Sequence, residues 1–261
     1  MQRAPQGYRF VATDRPRHLP VRGTVILAPP FAEEMNKSRR MVAETARALA
    51  GDGWRVVRPD LHGCGDSSGD FGDASWSDWV DDLRRSLGDA AGGELWLWGL
   101  RAGALLLPPL LAAAPAAKLL LWQPALSGSL VLNQFLRLKT VGALTGPAMA
   151  PDRKDLLHRL TRGESIEVAG YRLSPAVAAG LDAARLELPA SYRGRVIWLE
   201  LGADEGPVLS PATSKTVDAW RRLGLSVTAE CLGGLQFWQT TEISEVPQLL
   251  ERTRLLLATQ Q

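Results

Sequence analysis

Leu95-Trp96-Leu97-Trp98-Gly99-Leu100-Arg101-Ala102-Gly103 is the stretch on which the fold turns. Its first four residues are large and apolar on both alternating faces, the pattern of a central parallel strand covered by helices on either side. Gly99 and Gly103 stand two residues either side of Arg101. A strand that turns abruptly into a helix needs small residues there, because side chains would collide across the turn. The apolar run Ala102–Ala117 then predicts a buried helix, which Pro108 and Pro109 kink or end because neither has a backbone donor. At 16 residues that run falls short of the ~20 needed to cross a bilayer, so no membrane span is expected.

Working outward, short apolar runs alternate with helical periodicity. Strands are expected at Tyr8–Thr13, Thr24–Ala28, Trp54–Arg58, Lys118–Gln123, Val196–Leu201 and Ser226–Glu230. Helices are expected from about Ser38 to Ala50, after the N-cap Ser75, from Ala212 to Leu223 and from Glu245 to Leu257. The second of these carries Trp76, Trp79, Val80, Leu83 and Leu87 on one 3.6-residue stripe. Such alternation predicts one α/β domain over 1–261 with a doubly wound, mostly parallel sheet. It breaks between Ser127 and Arg193. There an amphipathic segment (Leu130–Val141), a Gly/Pro patch (Gly142–Pro151) and a charged segment (Asp152–Glu167) read as a helical cap, approximately 127–193, above the carboxyl ends of the strands.

Composition narrows the function classes. The chain has 261 residues, 46% hydrophobic and 22% charged, as a globular domain does. Its net charge of +2, with both signs interspersed, gives no basic stripe, so nucleic acid is not an expected partner. Cys64 and Cys231 lie far apart and suggest no disulfide framework, which makes a reducing cytoplasm the expected location. Arg3, Arg9, Arg15 and Arg17 are not followed by an apolar core, and no signal peptide is expected. No second His or Cys stands at ligand spacing from His62 and Cys64, so neither metal nor cofactor is expected.

The elbow matches G-x-S-x-G in glycine spacing and context, which points to the α/β-hydrolase fold, but Arg101 replaces the serine. Other landmarks follow in the order of that fold. Ala28-Pro29-Pro30-Phe31 ends the strand that contributes one oxyanion amide, so Phe31 and Ala102 are the oxyanion-hole-like positions. Asp204 follows a late strand where the triad acid belongs, and Gln236 occupies the place of the catalytic histidine. Arginine stays protonated and has no lone pair with which to attack a carbonyl. Glutamine takes no proton as imidazole does, and His18, His62 and His158 all lie elsewhere. Arg101, Asp204 and Gln236 thus form a degenerate triad.

Four blocks carry a resemblance: Pro30-Phe31-Ala32-Glu33-Glu34-Met35-Asn36-Lys37-Ser38-Arg39-Arg40, Gly63-Cys64-Gly65-Asp66-Ser67, Gly99-Leu100-Arg101 and Gln236-Phe237-Trp238-Gln239-Thr240. Together they resemble the exosortase A system-associated hydrolase 2 family of the α/β-hydrolase superfamily, over nearly the whole chain. The resemblance implies a place in bacterial systems for exopolysaccharide production and PEP-CTERM protein sorting. It also implies a companion, distantly related hydrolase-like protein as a partner, and makes arginine at the elbow a habit of the group.

Pocket residues are expected to be Glu33, Glu34, Asn36, His62, Cys64 and Trp238, with Trp96, Trp98, Trp122 and Trp198 in the core and Cys231 a core residue. Arg101 at a helix N-terminus favours an anion, whether a carboxylate, a phosphate or an acyl-carrier phosphopantetheine. Glu33 and Glu34 are equally ready internal partners. Three functions stay open. The chain binds a small anionic or acyl ligand without standard serine-hydrolase chemistry. It is an active hydrolase or acyltransferase using Cys64, which must then be a thiolate. Or it is a scaffold that pairs with its companion through the cap, in which case apolar residues of Leu130–Leu138 are exposed.

Overall fold

In the computed structural model, which describes residues 1–90, 92–143 and 152–259, seven strands hydrogen-bond into one sheet. In chain order they are β1 (Val11–Asp14), β2 (Gly23–Ala28), β3 (Trp54–Pro59), β4 (Glu94–Leu100), β5 (Lys118–Trp122), β6 (Val196–Gly202) and β7 (Val227–Gly233). Their spatial order is β7-β6-β5-β4-β2-β3-β1. Only β1 runs antiparallel to its neighbour. The helices are α1 (Glu33–Gly51), α2 (Trp76–Leu87), α3 (Gly128–Ala143), α4 (Arg153–Thr161), α5 (Pro175–Ala183), α6 (Pro211–Arg222) and α7 (Pro247–Ala258). This is the α/β-hydrolase fold.

The pleat divides the central strands between two cores. On one face Val25, Leu27, Trp96, Trp98 and Trp122 pack against Met41, Val42 and Leu49 of α1 and Leu249 and Leu256 of α7. On the other, Ile26, Ala28, Leu97 and Leu121 pack against α2, α3 and α5. The four tryptophans expected in the core are all buried, and Trp98 meets Trp122 edge-to-face at 4.6 Å. Such a pair adds roughly 0.5–1.5 kcal/mol beyond the area it buries.

Register places the site. Ala28 of β2 lies beside Gly99 of β4, and Leu100 lies beside Trp122 of β5. The residues that follow these three strands therefore emerge together around Arg101.

Several elements differ from the sequence expectation. The run Tyr8–Thr13 is split, because Gly7–Arg9 pairs with Gln2–Ala4 in a separate hairpin while Phe10 bonds across to Ser67 and Asp60. Helix α1 begins five residues before Ser38, at Glu33, after Ala32 with φ 51° and no capping side chain. The expected helix over Ala102–Ala117 is two 3-10 turns, Arg101–Leu106 and Pro108–Leu110. Pro108 and Pro109 supply no amide to an i→i−4 ladder, so an α-helix gains little there. The segment 127–193 holds α3, α4 and α5 together with a hairpin, Ile166–Val168 with Tyr171–Leu173. Of its Gly/Pro patch, residues 144–151 lie outside the described residues.

One buried charge pair ties the N-terminal hairpin to this frame. Asp82 on α2 accepts from Arg9 Nε at 2.8 Å, from the His62 amide at 2.7 Å and from Arg85 Nη1 at 2.9 Å. Arg9 and Asp82 are each only 2% exposed. Removing one partner of such a pair leaves an uncompensated buried charge. Asp82→Ala should lower the unfolding free energy by about 3–5 kcal/mol, read from urea denaturation. A loss below about 1 kcal/mol, the range of an exposed pair, would contradict this placement.

Candidate functional site

The turn at the end of β4 leaves no room for side chains on its glycines. A Cβ on Gly99 would stand 2.6 Å from Ala104 Cα, and one on Gly103 would stand 2.1 Å from the Ala28 carbonyl oxygen. Between them Arg101 takes φ 53°, in the left-handed region that L residues rarely enter. Among the described residues four non-glycines have positive φ, and three of them ring this point: Ala32 at 51°, Arg101 at 53° and Gln123 at 41°. Ala169, the fourth, turns the hairpin of Ile166–Val168 with Tyr171–Leu173. Backbone strain of this kind persists only where the surroundings impose it, and it gathers at functional sites. Here the Ala125 amide holds the Arg101 carbonyl at 3.1 Å, while Gln123 is pinned by Leu199 and by Leu201, each at 2.8 Å.

The guanidinium at the tip is occupied. Nε and Nη2 of Arg101 both reach Glu34 Oε1 at 3.1 Å, and Nη1 points at the Gln123 carbonyl at 3.5 Å. Its carbon lies 5.3 Å from the centre of the Trp238 ring, a cation–π contact. Glu34 is in the first turn of α1, where the helix terminus favours negative charge. Arg101 thus forms an internal ion pair, one of the two arrangements its sequence context left open. The segment after it is a six-residue 3-10 turn, so the expected helix terminus contributes no anion site.

Two spaces adjoin the pair. A narrow apolar pocket of about 20 Å³ lies beneath Phe31, Cys64 and Ala102. That is room for one water at most. Phe31, Phe71 and Trp79 fill it, with ring centres 5.6–6.0 Å apart. Beside it a cleft of about 410 Å³ opens between α1 and α3, lined by Glu33, Glu34, Lys37, Gln134, Phe135 and Trp238 among others. This second space has ligand dimensions.

The sequence-derived site residues distribute unevenly. Phe31, Ala102, Glu33, Glu34, Cys64 and Trp238 are at the elbow or its two spaces. Asn36 is exposed and outside the cleft, where it donates to Tyr171 Oη at 3.0 Å and so joins α1 to the 166–173 hairpin. His62 is not at the mouth: it is 4% exposed and its carbonyl accepts from Trp79 Nε1 at 3.0 Å. Asp204 is exposed and makes no hydrogen bond or ion pair among the described residues. Gln236 is exposed too, so it satisfies no buried backbone group through its side chain. His158 is exposed on α4 in the cap. Cys231 is half-buried on the edge strand β7 rather than in the core. Gln123 is the site residue that the sequence reading passed over as the end of a strand.

Burial dominates the charges here. It raises the carboxyl of Glu34 despite the opposing Arg101, and Glu33 beside it adds like charge. Glu33 is raised for the same first reason, and its Oε2 is buried with no partner among the described residues. Burial, reinforced by Asp60 and Asp82, pushes the Cys64 thiol up to about 12. A thiol so shifted is protonated at neutral pH and is no nucleophile there.

The model of the family described as serine aminopeptidase, S33 matches residues 20–184. None of the curated proteins matches the chain. Among solved structures it is similar to Est1E from Butyrivibrio proteoclasticus (TM-score 0.61, 12% identity, covering 95% of this chain and 93% of that one). It is also similar to XC6422 from Xanthomonas campestris, titled a member of a/b serine hydrolase without lid (TM-score 0.54, 20% identity, 97% and 88%). A third is Paleococcus ferrophilus monoacylglycerol lipase (TM-score 0.53, 19% identity, 96% of each chain). At these identities the likeness is one of fold.

Glu33 supplies a pH test. A carboxyl whose folded pKa is raised binds its proton more tightly in the folded state. Its contribution is therefore present at low pH and is lost as pH rises through the folded value. In Glu33→Gln that loss is absent. Unfolding free energies of the two proteins should differ least below pH 4.5, the ordinary glutamate value. Between there and neutrality the variant should gain steadily on the parent. Parallel pH profiles would show that Glu33 is solvated.

Proposed function

Because the chain belongs to the serine aminopeptidase S33 family of α/β hydrolases yet places a clamped arginine at the elbow, we propose that it acts by binding rather than by hydrolysis. The carrying observation is Arg101 itself, strained at φ 53° and paired with Glu34 where an attacking oxygen would stand. No base supports a nucleophile there: Gln236 is exposed and carries no imidazole, and Asp204 orients nothing. Cys64 offers no replacement, since burial holds it as a thiol.

The ligand that suits the 410 Å³ cleft has an anionic head and an apolar or acyl body. Its head would take Glu34's place on Arg101, with Lys37 at the rim, and its body would lie along Phe31, Phe135 and Val131. Raised by burial, Glu34 accepts a proton more readily than an ordinary carboxyl, which eases that exchange. The resemblance of the sequence blocks supports setting this binding in a bacterial exosortase/PEP-CTERM exopolysaccharide system, and the lack of a disulfide framework supports the cytoplasm.

A second reading rests on one observation. Leu130 and Leu138 of α3 are 62% and 41% exposed, eight residues apart on one face of the cap. That face would pair with the companion hydrolase-like protein of the same system. Leu130→Ser with Leu138→Ser should then abolish co-elution of the two purified proteins, and unchanged co-elution would remove this reading.

For the main reading the test is chemical. A fluorophosphonate probe should leave the protein unlabelled, and Arg101→Ser should fold yet hydrolyse p-nitrophenyl butyrate no faster than buffer, because no base comes with the serine. Stoichiometric labelling of any serine in the parent would overturn the proposal.

A further inference from the structure

At the end of the sheet opposite the elbow, residues 15–22 link β1 to β2. There Arg15 and Arg17 border a surface groove of about 570 Å³, together with His18 and with Arg47 from the end of α1. Arg15 and Arg17 are sequence neighbours, and the fold brings Arg47 of α1 alongside them. All three are exposed, and among the described residues none of their guanidinium groups makes a hydrogen bond or ion pair. The nearby carboxylates are taken: Asp14 by Arg58 at 2.8 Å, Asp52 by Arg254 at 2.7 Å and Glu44 by Arg40 at 3.1 Å. The positive charge of this face is therefore uncompensated.

Beside it two apolar side chains stand in solvent, Leu19 at 51% and Val21 at 47% exposed. Pro16 and Pro20 bracket Leu19 and fix the backbone on both sides, so the apolar group is held outward at little entropic cost. Arginines alone would suit any polyanion. Arginines with projecting aliphatic groups suit a surface that is anionic outside and hydrocarbon within.

We propose that this face docks the protein peripherally on a membrane rich in anionic lipid. Arg15, Arg17 and Arg47 meet the phosphate headgroups, while Leu19 and Val21 enter the boundary between headgroups and acyl chains. No described helix is long and apolar enough to cross a membrane, so the attachment is superficial. It leaves the elbow and its cleft facing away from the bilayer, open to ligand.

The test is co-sedimentation of the full chain with vesicles of phosphatidylcholine containing roughly one third phosphatidylglycerol, against pure phosphatidylcholine. Binding is expected only to the anionic vesicles, weakening as salt screens the headgroups. Each arginine near such a surface adds about fivefold to partitioning, so Arg15→Glu, Arg17→Glu and Arg47→Glu together should lower it at least ~100-fold. Because these residues contact no partner, the thermal midpoint should stay unchanged. Leu19→Ser with Val21→Ser should weaken binding while preserving its salt dependence. Equal binding to neutral vesicles, or full binding by the triple variant, would overturn the proposal. So would tighter binding to duplex DNA than to vesicles. Displacement by millimolar inorganic phosphate, with the apolar substitutions without effect, would assign the groove to a free anion and overturn it too.

Discussion

The site depends on how closely the elbow approaches the end of β2. Gly103 lies against the Ala28 carbonyl at a distance no Cβ could tolerate, and Gly99 lies as tightly against Ala104. With both glycines in place the turn closes over the strand beside it, and Arg101 sits in the left-handed region. The constraint belongs to the backbone. It holds the strand-to-helix turn in this geometry with Arg101 at its tip.

Replacement by arginine has consequences of its own. A charge at that depth needs a partner, and the register of β2 against β4 brings the start of α1 within reach. Glu34 supplies the partner, Trp238 the aromatic face and Gln123 a carbonyl. Three strained residues on three adjacent strand ends hold these groups in one place. The apolar pocket lined by Phe31, Phe71 and Trp79 is small, and the larger space is the cleft beside α3.

Much of this was legible in the sequence, because strand burial and glycine spacing are local signals. Leu95–Gly103 revealed the central strand and its turn, whereas Asp204 and Gln236, expected from chain order alone, are exposed. Of the two acids offered as partners of Arg101, Glu34 pairs with it and Glu33 does not, a choice that depends on register and leaves no local signal. The early start of α1 was hidden because Ala32 carries no capping side chain and reaches its conformation through tertiary contacts. Propensity favoured a helix over Ala102–Ala117, but two adjacent prolines in a tight space made it a pair of 3-10 turns. His62 looked like a pocket residue by position, whereas its loop folds inward onto Asp82. Gln123 left no signal at all, its role being that of a backbone corner.

The central claim is that Arg101 and Glu34 form one unit at the elbow. A double-mutant cycle on unfolding free energy, with Arg101→Met, Glu34→Gln and the pair, measures it directly. Coupled residues in contact of this kind give interaction energies of about 0.5–3 kcal/mol, and a half-buried charge pair should fall at about 1 kcal/mol or above. Additive effects, with a coupling near zero, would mean that the arginine and the glutamate stand apart and that the elbow is not held by this pair.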